Sequence, residues 1–404
     1  MVLYTERMKT REVRAIMNQI SRTLSDVAVG SKEIVAARMA FFIPGFAMST
    51  WAPMIPIVKT RLNLDADILG ILLLCIGISA LAVMPVSSML ARRFGCQKTI
   101  IAGSLVSALG IVLLSCMDSV WAYIMILLLF GAALGIADVT MNINAVIVEM
   151  AAERRLMSGM QAFWSIGCFA GAGCFALLAG LGLSAMAIAL IHCFIILAII
   201  ICYGRSWLAY RSAEEKKTFA VPRGIVIILG IVTGITFLIE GAVMDWSGVL
   251  LTEAKHLDLS LAGTGYAVFS AAMLVMRLLG DKTIQMIGEK TVLLGGCILT
   301  AVGFAVLVWI DDLYLNGLSF ILIGIGCANI VPIIYSMLKY QTTMQIGDAV
   351  AAISSLGYTG VILGPAFLGF IAQSIDINAV FELLVSLMLF EAALAKYIFV
   401  KLRA

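Results

Sequence analysis

Twelve long apolar runs, bounded by charged residues or by clusters of Gly, Asn and Asp, constrain this chain to fold in a lipid bilayer. A helix that spans the hydrocarbon core needs about 20 apolar residues, and its backbone must satisfy its own N–H and C=O groups. The runs fall near residues 36–58, 68–90, 99–117, 120–150, 157–181 and 184–204, then 224–252, 261–279, 291–310, 313–338, 349–373 and 379–400. They consume most of the 404 residues and leave no room for a separate globular domain. Composition agrees, with 62% of residues hydrophobic and 13% charged, where soluble domains run to roughly half and a quarter. The expected fold class is an all-α membrane protein of twelve transmembrane helices in two pseudo-symmetric six-helix bundles.

The longest polar interruption, residues 205–223, separates six runs from six and predicts a cytoplasmic linker between bundles at 36–204 and 224–404. Residues 1–35 are polar and lack the apolar core and cleavage site of a secretory signal, which predicts a cytoplasmic tail. In that tail Ile16, Ile20 and Leu24 share a helical face among basic residues, which suits an anionic lipid surface, but a plain solvated tail is the favoured reading. Placing both termini inside leaves only Lys59, Arg61 and Lys255 of the 27 basic residues outside. Retention of positive charge in cytoplasmic loops selects that orientation, in a bacterial inner membrane.

An internal repeat at an offset of 191–193 residues relates the halves. Gly95-Cys-Gln-Lys98-Thr recurs with one deletion as Gly288-Glu-Lys290-Thr, Ala137-Asp138-Val139 falls opposite Ala328-Asn329-Ile330, and Gly167-x-x-x-Gly171 matches Gly360-x-x-x-Gly364. Two repeated bundles facing one another predict a solute site near the midplane between them and alternating access by rocking.

Other function classes lack their chemistry. The nine cysteines include no Cys-x-x-Cys pair and only two histidines are present, so neither a disulfide framework nor a metal site is expected. A net charge of +3 points to no nucleic acid, and no Gly-x-x-x-x-Gly-Lys-Ser/Thr or His-Glu-x-x-His run marks a nucleotide or metal enzyme. No cofactor and no enzymatic activity are expected; a non-transporting sensor or a membrane-embedded enzyme are the remote alternatives.

The segment Ser88-Met-Leu-Ala-Arg92-Arg93-Phe94-Gly95-Cys-Gln-Lys98, with Arg277-x-x-Gly280-Asp281-Lys282 before Gly288 in the second half, resembles the loop between helices two and three of the major facilitator superfamily. The resemblance spans residues 36–400. It implies that Arg92, Arg93, Gly95, Arg277, Gly280 and Asp281 belong to gating loops that hold one end shut, with Arg92 standing where the family has an acid and weakening the first latch. Phe41 to Trp51, Asp138-Val-Thr-Met-Asn142, Glu240-Gly-Ala-Val-Met-Asp245-Trp246 and Gly326-Cys-Ala-Asn329-Ile-Val-Pro332 are similar to enterobacterial inner-membrane facilitators related to sugar permeases. Gly360-Val-Ile-Leu-Gly364-Pro365 is an efflux-like feature, and the length and flow of the chain faintly resemble exporters of peptide-nucleotide antibiotics of the microcin C type.

Acids kept near the bilayer centre, at a cost of roughly 2.5–3.5 kcal/mol each, must face a partner or water. Asp138 sits on a small and polar stripe of the fourth helix with Gly131, Gly135, Asn142 and Glu149, and Glu240 and Asp245 lie on the seventh. These three are the candidate proton-coupling residues, with interhelical hydrogen bonding as the plainer role. Trp51, Asn142, Gln161, Trp164, Trp246, Asn329 and Tyr358 are candidate substrate-binding residues, because aromatic faces and side-chain amides suit sugars, bases or cations. The expected partners are a small-molecule solute, protons and lipid, with the monomer as the functional unit. The 22 methionines and the altered first latch tip the expected direction slightly toward export of an antibiotic-like compound, against proton-coupled import of a sugar-like solute.

Overall fold

The computed structural model describes residues 29–63, 66–209, 221–258 and 261–403. The tail face of Ile16, Ile20 and Leu24 and linker residues 210–220 lie outside them. Twelve helices follow in order: α1 (Ser31–Leu62), α2 (Ala66–Phe94), α3 (Cys96–Cys116), α4 (Val120–Ala151), α5 (Met157–Gly180), α6 (Ala185–Tyr203), α7 (Ile225–Ala254), α8 (Thr264–Ile287), α9 (Glu289–Trp309), α10 (Leu313–Tyr340), α11 (Ile346–Ser374) and α12 (Ile377–Arg403). No strand occurs among the described residues. Eleven of these helices are long and apolar enough to cross a membrane by composition. The exception is α8, whose hydropathy is broken by Arg277, Asp281 and Lys282.

Two differences from the sequence expectation sit at the bundle edges. Helix α1 begins at Ser31, where Glu33 reaches back to the backbone N–H of Gly30 and caps the start. The expected linker is also not polar throughout: Trp207 is 2% exposed and donates its indole N–H to the Ala36 carbonyl at 2.6 Å, pinning the end of the first bundle to its own α1.

The repeat appears in the pairing of helices. Helix α1 packs on α5 as α7 packs on α11; α4 packs on α2 and α3 as α10 packs on α8 and α9; α6 packs on α3 as α12 packs on α9. The bundles meet along α2 with α11 and α5 with α8. Single glycines join α2 to α3 and α8 to α9, Gly95 at φ 87° and Gly288 at φ 85°, a left-handed conformation that admits this one-residue reversal without a Cβ clash. Helix backbones touch at matched points: a Cβ on Gly167 would lie 2.3 Å from the Phe42 carbonyl, and one on Gly360 would lie 2.1 Å from the Gly234 carbonyl. Small residues supply that approach, since lipid provides no hydrophobic force between helices. Apolar side chains such as Phe194, Ile201 and Phe370 remain exposed on the outside, as a surface solvated by lipid requires.

Helix α10 is interrupted at Ala328 and Asn329. Pro332 explains one consequence: it has no N–H to donate to the carbonyl four residues back, so Ala328 C=O is left free inside the bundle.

Candidate functional site

The freed carbonyl of Ala328 is taken by Arg277. Its Nε donates there at 3.3 Å, its Nη1 donates to Ser165 Oγ of α5 at 3.2 Å, and its Nη2 donates to Glu240 of α7 at 3.1 Å. The Arg277 side chain is 7% exposed, while that of Glu240 keeps 23% exposure. Pairing with Glu240 is what allows a guanidinium at this depth. One residue thus joins α5, α7, α8 and α10.

Arg277 corrects its grouping with the gating loop. Helix α8 runs ten residues beyond it to Ile287, which places Arg277 inside the helix among the cavity acids. Gly280 and Asp281 also lie within α8 rather than in a loop.

On α4, Asp138 is 8% exposed and its carboxyl lies beside the Ser354 hydroxyl of α11. Ser354 in turn pairs with the Tyr335 hydroxyl of α10 at 2.7 Å. No ion pair to Asp138 is present among the described residues. One turn along α4, Asn142 donates to the Asp138 carbonyl at 2.9 Å and accepts from Gln161 of α5 at 3.4 Å. Tyr358, a turn beyond Ser354, faces the same acid, with its ring edge on Phe237 at 6.3 Å. The structure therefore brings Asp138, Asn142, Gln161 and Tyr358 together, and Glu240 with Arg277.

Other candidates fall elsewhere. Asp245 is exposed, further along α7 toward the end away from the termini. Trp164 is half-buried, with its carbonyl only 2.4 Å from where a Cβ on Gly45 would sit. Trp51 is 2% exposed and packs at 6.4 Å on Tyr123, so it fills the interior of the first bundle instead of lining the cavity. Trp246 is half-buried against Gly369 of its own bundle. Asn329 is 2% exposed and clamped to α8, where it donates to the Met276 carbonyl and leaves no room for a side chain at Gly280.

At the end that carries the α2–α3 and α8–α9 turns, the same end as both ends of the described chain, the halves are latched. Arg92 of α2 pairs with Asp348 in the first turn of α11, so the substitution at Arg92 has not removed the first latch. Arg93 points away, over the Phe94 ring at 5.3 Å, and Gly95 forms the turn. The second latch is a double cap on α5. Glu149 of α4 accepts from the N–H groups of Leu156 and Met157, both at 2.9 Å, and Asp281 of α8 accepts from those of Ser158 and Gly159 at 3.0 and 2.9 Å. Those are the four N–H groups that a helix start leaves free, and one carboxylate from each half satisfies them. Arg155 reinforces the closure by bridging Glu149 to Glu289 of α9.

At the opposite end Arg61 donates to the Ser115 and Leu114 carbonyls at the end of α3, and Lys255 donates to the Val308 and Ile310 carbonyls at the end of α9. Both neutralise a helix C-terminus. Two of the three basic residues assigned to the outer side are thereby explained by local structure. The Lys255 ammonium also holds the exposed Asp311 carboxyl below the usual carboxylate range.

Both halves of the chain match one sequence family, described as the Major Facilitator Superfamily, over residues 39–230 and 226–404. The chain belongs to the major facilitator superfamily. It is 39% identical over 372 residues to an uncharacterized MFS-type transporter of Yersinia pestis, covering 92% of this chain and 97% of that one. Membrane protein MosC of Rhizobium meliloti is 27% identical over 352 residues, 85% of each chain. Among solved structures, the E. coli fucose:proton symporter FucP superposes with a TM-score of 0.73 at 12% identity, covering 90% of this chain and 98% of that one. The human organic anion transporter MFSD10 superposes with a TM-score of 0.69 at 14% identity, covering 90% and 99%. At those identities the likeness is one of fold. This superfamily member is a multi-pass membrane transporter and not an enzyme.

Proposed function

We propose that this transporter couples protons to the movement of a small polar organic solute by alternating access, with Asp138 and Glu240 as the groups that carry charge through the cycle. The observation that supports this reading is the placement of both acids at contacts between the bundles. Asp138 reaches α11 of the other half through Ser354, and Glu240 holds Arg277, which bonds Ser165 across the same divide. A proton arriving at Glu240 weakens its hold on Arg277, and one arriving at Asp138 changes its contact with Ser354. Either event biases the docking of one bundle on the other. Asn142, Gln161, Trp164 and Tyr358 are the solute contacts in this proposal. The monomer suffices, because one chain supplies both bundles and the cavity.

In the proposed orientation both termini and the latched end face the cytoplasm of a bacterium, the side on which the loop arginines and lysines gather. The hydrogen bonds and ion pairs joining the halves cluster in the middle and at that end. Such a state is closed at the latched end, a state that importers and exporters both visit, so the transport assay decides the direction. The expectation of export rests on the altered first latch, the Gly360-to-Pro365 pattern and the 22 methionines, and the contacts of Arg92 and Gly360 leave the methionines untouched. Arg92 now has a partner, and Gly360 is accounted for by its contact with Gly234.

The test is transport in proteoliposomes under an imposed proton gradient, with sugars, nucleosides, peptide-nucleotide antibiotics and cationic drugs first screened by ligand-induced rise in melting temperature. Glu240→Gln and Asp138→Asn are each expected to lose gradient-driven accumulation while retaining ligand binding. Full accumulation by both variants rules out the coupling assignment, and accumulation of an antibiotic in inside-out vesicles supports the export reading.

A further inference from the structure

Behind α7, in its contact with α12, lies an acid that the transport reading does not use. Glu391 is 0% exposed. Its Oε1 lies 2.8 Å from the hydroxyl of Thr236, and that same hydroxyl lies 3.0 Å from the Val232 carbonyl one turn back on α7. A threonine hydroxyl has a single proton to donate. Either the one proton is shared between two acceptors, or Thr236 donates to Val232 and Glu391 brings a proton of its own, donating it to Thr236 Oγ1; the second arrangement gives each contact a full hydrogen bond. Glu391 Oε2 touches no donor at all, and no Lys, Arg or His pairs with the carboxyl among the described residues.

The titratable groups facing this acid come from three other helices. Glu240 stands one turn along α7 from Thr236, Cys297 comes from α9 and Cys327 from α10. Cys327 contacts Thr300 at 3.5 Å. Each of the three is itself an acid, and the Arg277 charge is engaged with Glu240. An ionised Glu391 would stand in an apolar interior with one bonded oxygen, one bare oxygen and no counter-ion, the arrangement that buried carboxyls avoid by keeping their proton.

We propose that Glu391 is a second proton-binding site of the C-terminal half, occupied in this structure and coupled to Glu240 across one turn of α7. Its occupancy is argued from the burial, the bare Oε2, the absence of a counter-ion among the described residues and the Thr236 geometry together; its participation in the transport cycle rests on the proton-coupling reading above. The two carboxyls titrate as a pair, because a negative charge on either opposes a negative charge on the other. Glu391 keeps its proton while Glu240 is ionised against Arg277, and the pair exchanges one proton with the cavity as Glu240 changes partners.

The experiment is infrared spectroscopy of the full-length protein in lipid vesicles, read at the carbonyl stretch of neutral carboxylic acids, for the parent, Glu391→Gln and Thr236→Val. The Gln side chain preserves the donor to Thr236, so packing survives while the titratable proton goes. A neutral-acid band present at neutral pH and missing in Glu391→Gln supports the proposal, as does a shift of that band to higher frequency in Thr236→Val. If Glu391→Gln is not recovered in folded form, the Thr236→Val shift decides alone. Loss of no band, or an unmoved band in Thr236→Val, overturns it. Glu391→Gln is further expected to move the midpoint of the pH profile of transport by about one unit without weakening ligand binding. An unchanged profile overturns the coupling to Glu240. The infrared band is read without any transport, so failure of coupled transport in the parent would be told apart from failure of this site.

Discussion

The two halves share one scaffold and differ in how each treats its charges. In the C-terminal half the cavity acid comes with its own cation, Glu240 with Arg277, and that pair is anchored by the carbonyl freed at Pro332. In the N-terminal half Asp138 has no ion-pair partner among the described residues and its carboxyl lies beside the Ser354 hydroxyl of the opposite bundle. One half is electrostatically self-contained, whereas the other depends on how the bundles are docked.

The latches differ for an equally local reason. A helix start attracts negative charge. Helix α5 has no acid in its first turn and receives one from α8, Asp281. Helix α11 already carries Asp348 in its first turn, so its cross-bundle partner must be a cation, and Arg92 supplies it. Registering Gly95 on Gly288 places Arg92 opposite Gln285 and Asp281 opposite Ser88, so the two latches use different turns of α2 and α8.

The largest effect should come from breaking the self-contained pair. Arg277→Leu strands Glu240 and is expected to cost about 3 kcal/mol, at the lower end for a broken buried pair because the Glu240 side chain keeps 23% exposure. Adding Glu240→Leu should recover most of that loss. Asp138→Asn, which strands no cation, should change stability by less than about 1 kcal/mol. Thermal unfolding in lipid vesicles measures all three, and equal losses for Arg277→Leu and Asp138→Asn would erase the contrast between the halves.

Next in size is the first latch. Arg92→Asp places like charges against Asp348 and should free the latched end, raising labelling of Cys168, a half-buried thiol of α5 near Arg277, by a small thiol reagent from that side; adding Asp348→Arg should restore closure, with a coupling of about 1–3 kcal/mol in the double-mutant cycle. Asp281→Asn keeps the size of the cap and removes only its charge. Its smaller penalty, on the order of 1 kcal/mol, would appear in the same assay.

The smallest expected difference lies at the end opposite the latches, where the halves behave alike. Arg61→Ala and Lys255→Ala should each cost about 0.3–1 kcal/mol and diminish with added salt. Because Lys255 lowers the Asp311 carboxyl, their link is fully present above the ordinary carboxylate range and is lost as pH falls through the lowered value. A Lys255→Ala protein should therefore lose its pH sensitivity at this site in acid.

Much of this architecture is readable along the chain, since hydropathy is a local property. The α8 segment shows where that reading thins: Arg277, Asp281 and Lys282 depress its hydropathy because they serve the interior and the latch, not lipid. Asp138 and Glu240 stand out by type and depth, and Asn142, Gln161 and Tyr358 by helical spacing from polar neighbours. Trp51 looked equally suitable as a cavity aromatic, but the rotation of α1 turns it onto Tyr123. Pro332 is a usable signal for Ala328, because within a helical run a proline leaves the carbonyl four residues back without its usual donor. Which donor takes that carbonyl is not written nearby.

The sequence by itself determined twelve spans, two repeated halves and the existence of buried acids, because each follows from apolar length, spacing and the cost of charge in hydrocarbon. Only the tertiary structure decided the partners: Arg277 for Glu240, Ser354 for Asp138, Asp348 for Arg92, and a lone threonine for Glu391. Those pairings join helices far apart along the chain, and they depend on how each helix is rotated where glycines let the backbones touch.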